Sequence, residues 1–219
     1  MKKLLIALVV VAVASVASAE VIATWTFPVS SLASANADSQ NANFAGTLEL
    51  TRGTGAPAST GAGFRTTGFQ NDGINVANTD YYQIVMQAAA GYDLSLSSIT
   101  GGFTGTTSYV AAPGVDHQWA YSIGTGGTFT LIGTAVNRTG VGQSTFDFST
   151  TSALQNVTEQ VTLRYFATGQ TSTGGWGFSS AGFTVDGTLA QTAPIPEPAT
   201  MGLLGLGALA LALRRKMSK

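Results

Sequence analysis

Residues 117–134 read HQWAYSIGTGGTFTLIGT. Trp119, Tyr121 and Ile123 alternate with small or polar residues, and Phe129 and Leu131 resume the alternation after Gly124–Gly127. A side chain repeated at every second position is strand periodicity, and a glycine-rich break between two such runs closes a hairpin. The stretch predicts two antiparallel strands.

The same pattern extends outward in both directions. VIATWTF, FAGTLELT, YYQIVMQA, YDLSLSSITGGF, STFDFST, VTLRYFATG and WGFSSAGFTVDGTL are further strand-like runs separated by turn residues. Tyr82, Ile84 and Met86 fall on one face of theirs, with Tyr81, Gln83 and Val85 on the other, while Leu94, Leu96 and Ile99 supply apolar positions after Gly91. No window carries a 3.6-residue apolar period, although one short helical turn fits around Leu154. Eight to ten short strands spaced by turns predict an all-β body over residues 20–190, a two-sheet β-sandwich with a jelly-roll-like arrangement. Residues 53–64, GTGAPASTGAGF, read as a flexible loop and lack the Gly-Lys-Ser/Thr ending of a phosphate cradle.

Composition agrees with many strands and tight turns. The 219 residues include 27 glycines, and only 10% are charged, against about 25% in ordinary globular chains. Between Glu20 and Ala193 four arginines face ten carboxylates, a formal charge of −6. Such a body offers no basic stripe to a phosphate backbone, which excludes nucleic acid as a partner. There is no cysteine, so disulfides, thiolate metal sites and thiol nucleophiles are excluded together.

Both ends differ from the body. Lys2 and Lys3 precede an apolar run, and Ala17-Ser18-Ala19 places small residues at the −3 and −1 positions of a signal-peptidase cut. Residues 1–19 therefore read as a secretory signal peptide helix, with signal peptidase as a partner and Ala17 and Ala19 as its site. At the other end a Pro-rich linker over residues 191–198 leads to residues 199–219, an apolar helix closed by Arg214, Arg215 and Lys216. The fifteen apolar residues span about 22 Å as a helix, short of a hydrocarbon core of about 30 Å. The cations form the flank expected on the cytoplasmic side.

Pro196-Glu197-Pro198, then the apolar run, then the Arg-rich end resembles the PEP-CTERM sorting signal of Gram-negative bacteria. The resemblance covers roughly the last 25 residues and rests on three elements in a required order. It implies that Pro196, Glu197 and Pro198 are recognised by an exosortase. It also implies that Ala199–Leu213 is held transiently in the inner membrane, that Arg214, Arg215 and Lys216 stop transfer, and that the body goes to the cell surface or extracellular matrix. An association with exopolysaccharide and biofilm is a further implication. YSIGTGGTFTLIGT and AGFTVDGTL resemble the jelly-roll bodies often joined to such tails.

Chemistry in the body is sparse. His117 is the single histidine and, in VDHQW, reads as a surface residue at a strand entrance; with Asp116 and a serine it forms a triad only on paper. Asp72, Asp80 and Asp186 sit beside turn residues, which Asx-turn chemistry explains without catalysis. NDGIN and NTDYY are candidate loops for a structural Ca2+, and no other cofactor is expected. Trp176, in a glycine-rich turn, is the candidate sugar contact if its ring is exposed; the competing reading places it in the core. The expected function is a non-enzymatic exported protein. The alternatives are a carbohydrate-binding module and a polysaccharide-active enzyme with a carboxylate pair.

Overall fold

The structure, a computed structural model, describes residues 19–69, 72–106, 113–169 and 175–192, together with Gly207 and Arg214. The expected signal helix, the Pro-Glu-Pro element and the C-terminal apolar run otherwise lie outside the described residues, as do Ala17, Arg215 and Lys216. Among the described residues no helix is long and apolar enough to cross a membrane.

The body is all-β. The strands are β1 (Glu20–Trp25), β2 (Ala35–Asn36), β3 (Ser39–Gln40), β4 (Glu49–Arg52), β5 (Phe64–Thr66), β6 (Tyr82–Met86) and β7 (Tyr92–Gly105). They continue as β8 (Val115–Ile123), β9 (Thr130–Leu131), β10 (Val136–Arg138), β11 (Gly142–Asp147), β12 (Val161–Thr168) and β13 (Trp176–Gln191). A 3-10 turn, Ser152–Leu154, buries Leu154 where the sequence allows one helical turn.

Two antiparallel sheets form. One runs β11-β7-β13-β1-β3, with β5 also on β13; the other runs β10-β8-β12-β6-β4-β2, with β9 on β8. From β1 to β8 consecutive strands alternate between sheets, β8, β9 and β10 stay in one sheet, and the alternation resumes with β11, β12 and β13, so the chain crosses the core repeatedly. The inner faces meet in one apolar cluster that holds Trp25, Trp119, Trp176, Tyr82, Tyr165 and Phe103. Burying a large apolar side chain contributes about 1.5–3 kcal/mol, and this interior takes the place of disulfides in a chain without cysteine.

The 117–134 stretch is the expected hairpin, with Ala120 paired to Leu131 and Tyr121 to Thr130. Its second arm faces differently from the expectation: Leu131 is exposed and Ile132 is buried. The reason is register: Leu131 pairs with Ala120, on the outward phase of β8, so Leu131 faces outward and Ile132 inward. Strand β6 follows its periodicity, with Tyr82, Ile84 and Met86 fully buried. In β7, Leu96 and Ile99 are three apart yet both buried. A bulge resolves this, because Gly187 pairs with Leu96 and Asp186 with Ser98, leaving Ser97 as the extra residue.

The 53–64 segment is held by its backbone. Gly53 N–H donates to the Tyr81 carbonyl, Gly55 N–H to Thr79 and Ser59 N–H to Arg65. A Cβ on Gly53 would stand 2.1 Å from the Thr79 carbonyl oxygen, so glycine is what lets this segment lie flat against the chain entering β6.

Candidate functional site

His117 is buried rather than on the surface. Odd-numbered residues of β8 face the interior, and His117 follows Val115 inward while Asp116 points out to Asn137. Edge contacts from Phe103 and Phe146 enclose the imidazole. Its Nδ1 lies 2.8 Å from the Tyr165 hydroxyl, and its Nε2 lies 3.3 Å from Ser144 Oγ. Trp176 Nε1–H donates to Tyr165 at 2.9 Å, and Arg138 Nε–H donates to Ser144 at 2.8 Å.

These bonds assign the proton. An indole can only donate, so Tyr165 accepts from Trp176 and gives its own hydrogen to His117 Nδ1. The imidazole hydrogen is then on Nε2, directed at Ser144. Burial, and secondarily the Arg138 charge, hold the His117 pKa down to about 3, and burial raises Tyr165 well above its ordinary value. The imidazole and phenol are therefore neutral, and they join the two sheets in a polar chain that ends on the Arg138 guanidinium. It is not the paper triad, because Nδ1 meets a phenol where a triad places a carboxylate.

Trp176 is fully buried at the start of β13, stacked on Phe103 at 5.9 Å. Of the two readings of Trp176 the core one describes it, and no ring face reaches solvent to serve as a sugar platform. The glycine signal that made it look like a turn residue leads into a strand, which begins directly after Gly175, and Gly177 lets that strand pass close to the Phe64 carbonyl. Sequence reading also missed an outer-face group on the seven-stranded sheet. There the Arg164 guanidinium lies 3.9 Å from the ring centroids of both Tyr81 and Phe129, and its Nε–H donates to Gln83. The odd-even alternation of β6 and β12 could have located Tyr81 and Arg164; Phe129 arrives through the hairpin.

The two calcium-candidate loops do come together. Asp72, Asn78, Thr79 and Asp80, with Gly55 and Gly68, line a polar hollow of about 380 Å3. Asp80 is buried there. Asn75 Oδ1 accepts the Ala77 N–H, and Asn78 Nδ2 donates to the Gly73 carbonyl, so asparagines make turn bonds in this region. Among the described residues no three His, Asp or Glu side chains gather to hold a metal. Asp186 departs from its expected turn: it lies within β13 and accepts the Ser98 hydroxyl hydrogen at 2.9 Å.

The last feature is the end of β13. Gln191 pairs with Tyr92, and Thr192 N–H and Oγ1–H both donate to the Gly91 carbonyl, at 2.8 and 3.0 Å. Gly91 has φ +85°, a conformation open to glycine. The folded body thus runs without a break to within two residues of Pro194.

Residues 194–216 match the PEP-CTERM protein-sorting motif. The chain carries that sorting signal. The match starts at Pro194 and ends at Lys216, so it takes in Pro196, Glu197, Pro198, the apolar run and the cations. A PEP-CTERM motif implies export, membrane-associated sorting and an exosortase as processing partner. No curated protein matches the chain.

Proposed function

We propose that this is a non-enzymatic exported protein, delivered by its PEP-CTERM signal to the cell envelope or extracellular matrix and associated there with exopolysaccharide. The observation that carries the reading is the motif at residues 194–216, joined directly to a closed β-sandwich. The strand order β1-β13-β7-β11 against β6-β12-β8-β10 supports a jelly-roll-like body, since most consecutive strands fall in opposite sheets. The burial of His117 among aromatic rings supports a structural role for the one imidazole.

Replacing Pro196, Glu197 and Pro198 with alanine tests the sorting step in a host that carries an exosortase. The expected result is an unprocessed, membrane-retained precursor. Processing unchanged from the parent chain would overturn the reading.

A carbohydrate-binding role is the second reading, favoured by the Tyr81–Arg164–Phe129 stack on an outer sheet face. Flat rings beside a guanidinium and the Gln83 amide supply stacking and hydrogen bonding to a sugar. A glycan array on the processed body, with Tyr81→Ala and Phe129→Ala as controls, checks it; binding unaffected by both substitutions removes this face from consideration.

A further inference from the structure

The outer face of the seven-stranded sheet carries a guanidinium whose polar hydrogens are only partly used. Thr51 pairs with Gln83, Gln83 with Arg164, Arg164 with Ala120 and Ala120 with Leu131. A single row of side chains therefore crosses β4, β6, β12, β8 and β9. Two rings arrive from the rows on either side. Tyr81 lies toward Phe166, because Tyr82 pairs with Tyr165. Phe129 lies toward Ser122, because Thr130 pairs with Tyr121. They reach Arg164 from opposite ends of β12 and hold its guanidinium between them, each centroid at 3.9 Å.

Each ring thus gives one face to the cation, and Tyr81 also meets Phe166 edge-on at 5.9 Å. Hydrogen bonding is then what selects a ligand. Arg164 Nε–H is spent on Gln83 Oε1 at 2.8 Å, which fixes the amide with Nε2 as its free, donating end. Among the described residues Arg164 Nη1 and Nη2 and Gln83 Nε2 have no acceptor. Solvent reaches them, unlike Nη1 and Nη2 of Arg52, which are buried without partners against Phe64. The free groups are all donors and one is cationic, so the complementary ligand is a planar anion that accepts in pairs, a carboxylate.

The body's own carboxylates do not fill this role. By register Glu49, Asp80 and Asp116 stand about 11–14 Å from Arg164, beyond the length of about 8 Å over which exposed charges act in physiological salt. The formal charge of −6 on the body disfavours non-specific attraction of an acidic polymer, so binding of one reports a local site. Strand β12 lies between β6 and β8 and offers no free edge to an extended peptide. The Gln83 amide beside the rings suits the hydroxyls and apolar faces of a sugar.

We infer that this row binds the carboxylate of an acidic sugar, a uronate unit of a polysaccharide, on the Arg164 Nη edge and the Gln83 amide. The inference rests on the carbohydrate-binding reading and narrows it from sugars in general to anionic ones.

The full chain is titrated with oligogalacturonate and with the same oligomer after reduction of its carboxyls to neutral galactose. The acidic oligomer is expected to bind about tenfold or more tighter than the neutral one, as for a charge-assisted pair. Arg164→Lys keeps the charge without the planar fork and is expected to lose about as much. Carboxyl reduction changes only the ligand, so that comparison holds even where the variant folds poorly, which urea unfolding reports. Equal binding of the two oligomers, binding of neither, or acidic binding unchanged in Arg164→Lys overturns the inference. Polyglutamate or dextran sulfate bound through Arg164 as tightly as oligogalacturonate overturns the sugar carboxylate as occupant. Neutral glycans bound on this face leave the carbohydrate reading standing without the inference; a glycan array on which nothing binds removes both.

Discussion

The Tyr165 hydroxyl stands 2.8 Å from His117 Nδ1 and takes the Trp176 indole hydrogen at 2.9 Å on its other side. His117 and Tyr165 belong to β8 and β12 of the seven-stranded sheet, whereas Trp176 opens β13 of the other. One phenol oxygen therefore ties the two sheets together inside an apolar interior. Tyr82 reinforces the junction, its hydroxyl donating to the Trp176 carbonyl at 3.0 Å.

Tyr165→Phe leaves the His117 Nδ1 and the Trp176 N–H without partners in a buried site. Each orphaned group costs about 1–3 kcal/mol, so the urea midpoint is expected to fall markedly with the denaturant slope unchanged. A midpoint within error of the parent would show that the phenol bonds contribute nothing net.

Acid sensitivity follows from His117. Its pKa is held to about 3 in the fold and returns to about 6.5 on unfolding. Between those values the unfolded chain binds the extra proton. Stability from this group is thus fully present above pH 6.5 and is lost as pH falls toward 3. The slope reaches up to about 1.4 kcal/mol per pH unit. Replacing His117 with Gln is expected to flatten that slope in pH-dependent urea unfolding, even where it lowers stability at neutral pH.

Gly182 has φ +74°, and a Cβ there would stand 1.6 Å from the Trp25 carbonyl oxygen. Gly182→Ala adds left-handed strain and forces β1 away from β13, whose pairing includes Trp25 with Phe183. A loss of more than about 2 kcal/mol is expected, read as a lower melting temperature. Gly73, also at positive φ but with nothing near its Cβ position, is the control, with a smaller loss.

Trp176→Ala separates core from binding site. Removing a fully buried indole costs about 3–5 kcal/mol, so the variant is expected to unfold at much lower urea. A sugar platform at this residue would instead leave stability near the parent value.

Much of the fold was legible because burial and strand periodicity coincide. In β6, alternate residues are buried and the rest reach solvent, so Tyr82, Ile84 and Met86 announce themselves. Strands β2, β3, β5 and β10 did not, since two or three residues cannot display a period. Leu96 and Ile99 looked out of phase until the bulge at Ser97 supplied the missing residue. His117 was misplaced because polarity argued for the surface. Only the inward phase of β8 and the arrival of Tyr165 and Ser144, 48 and 27 residues away, make burial acceptable. Glycine neighbours likewise made Trp176 look like a turn residue, although they serve a strand in close contact with β5.

The sequence by itself determined the class of the body and the presence of the sorting signal. Both are encoded locally, one in alternating side chains and turns, the other in a contiguous proline, apolar and cationic order. Tertiary structure decided which polar groups could be buried, which aromatics remained outside and how close the last strand brings the body to the motif. Those properties depend on pairing between residues far apart in the chain. Gly91 and Thr192 are separated by a hundred residues, yet their hydrogen bonds determine where the folded body ends.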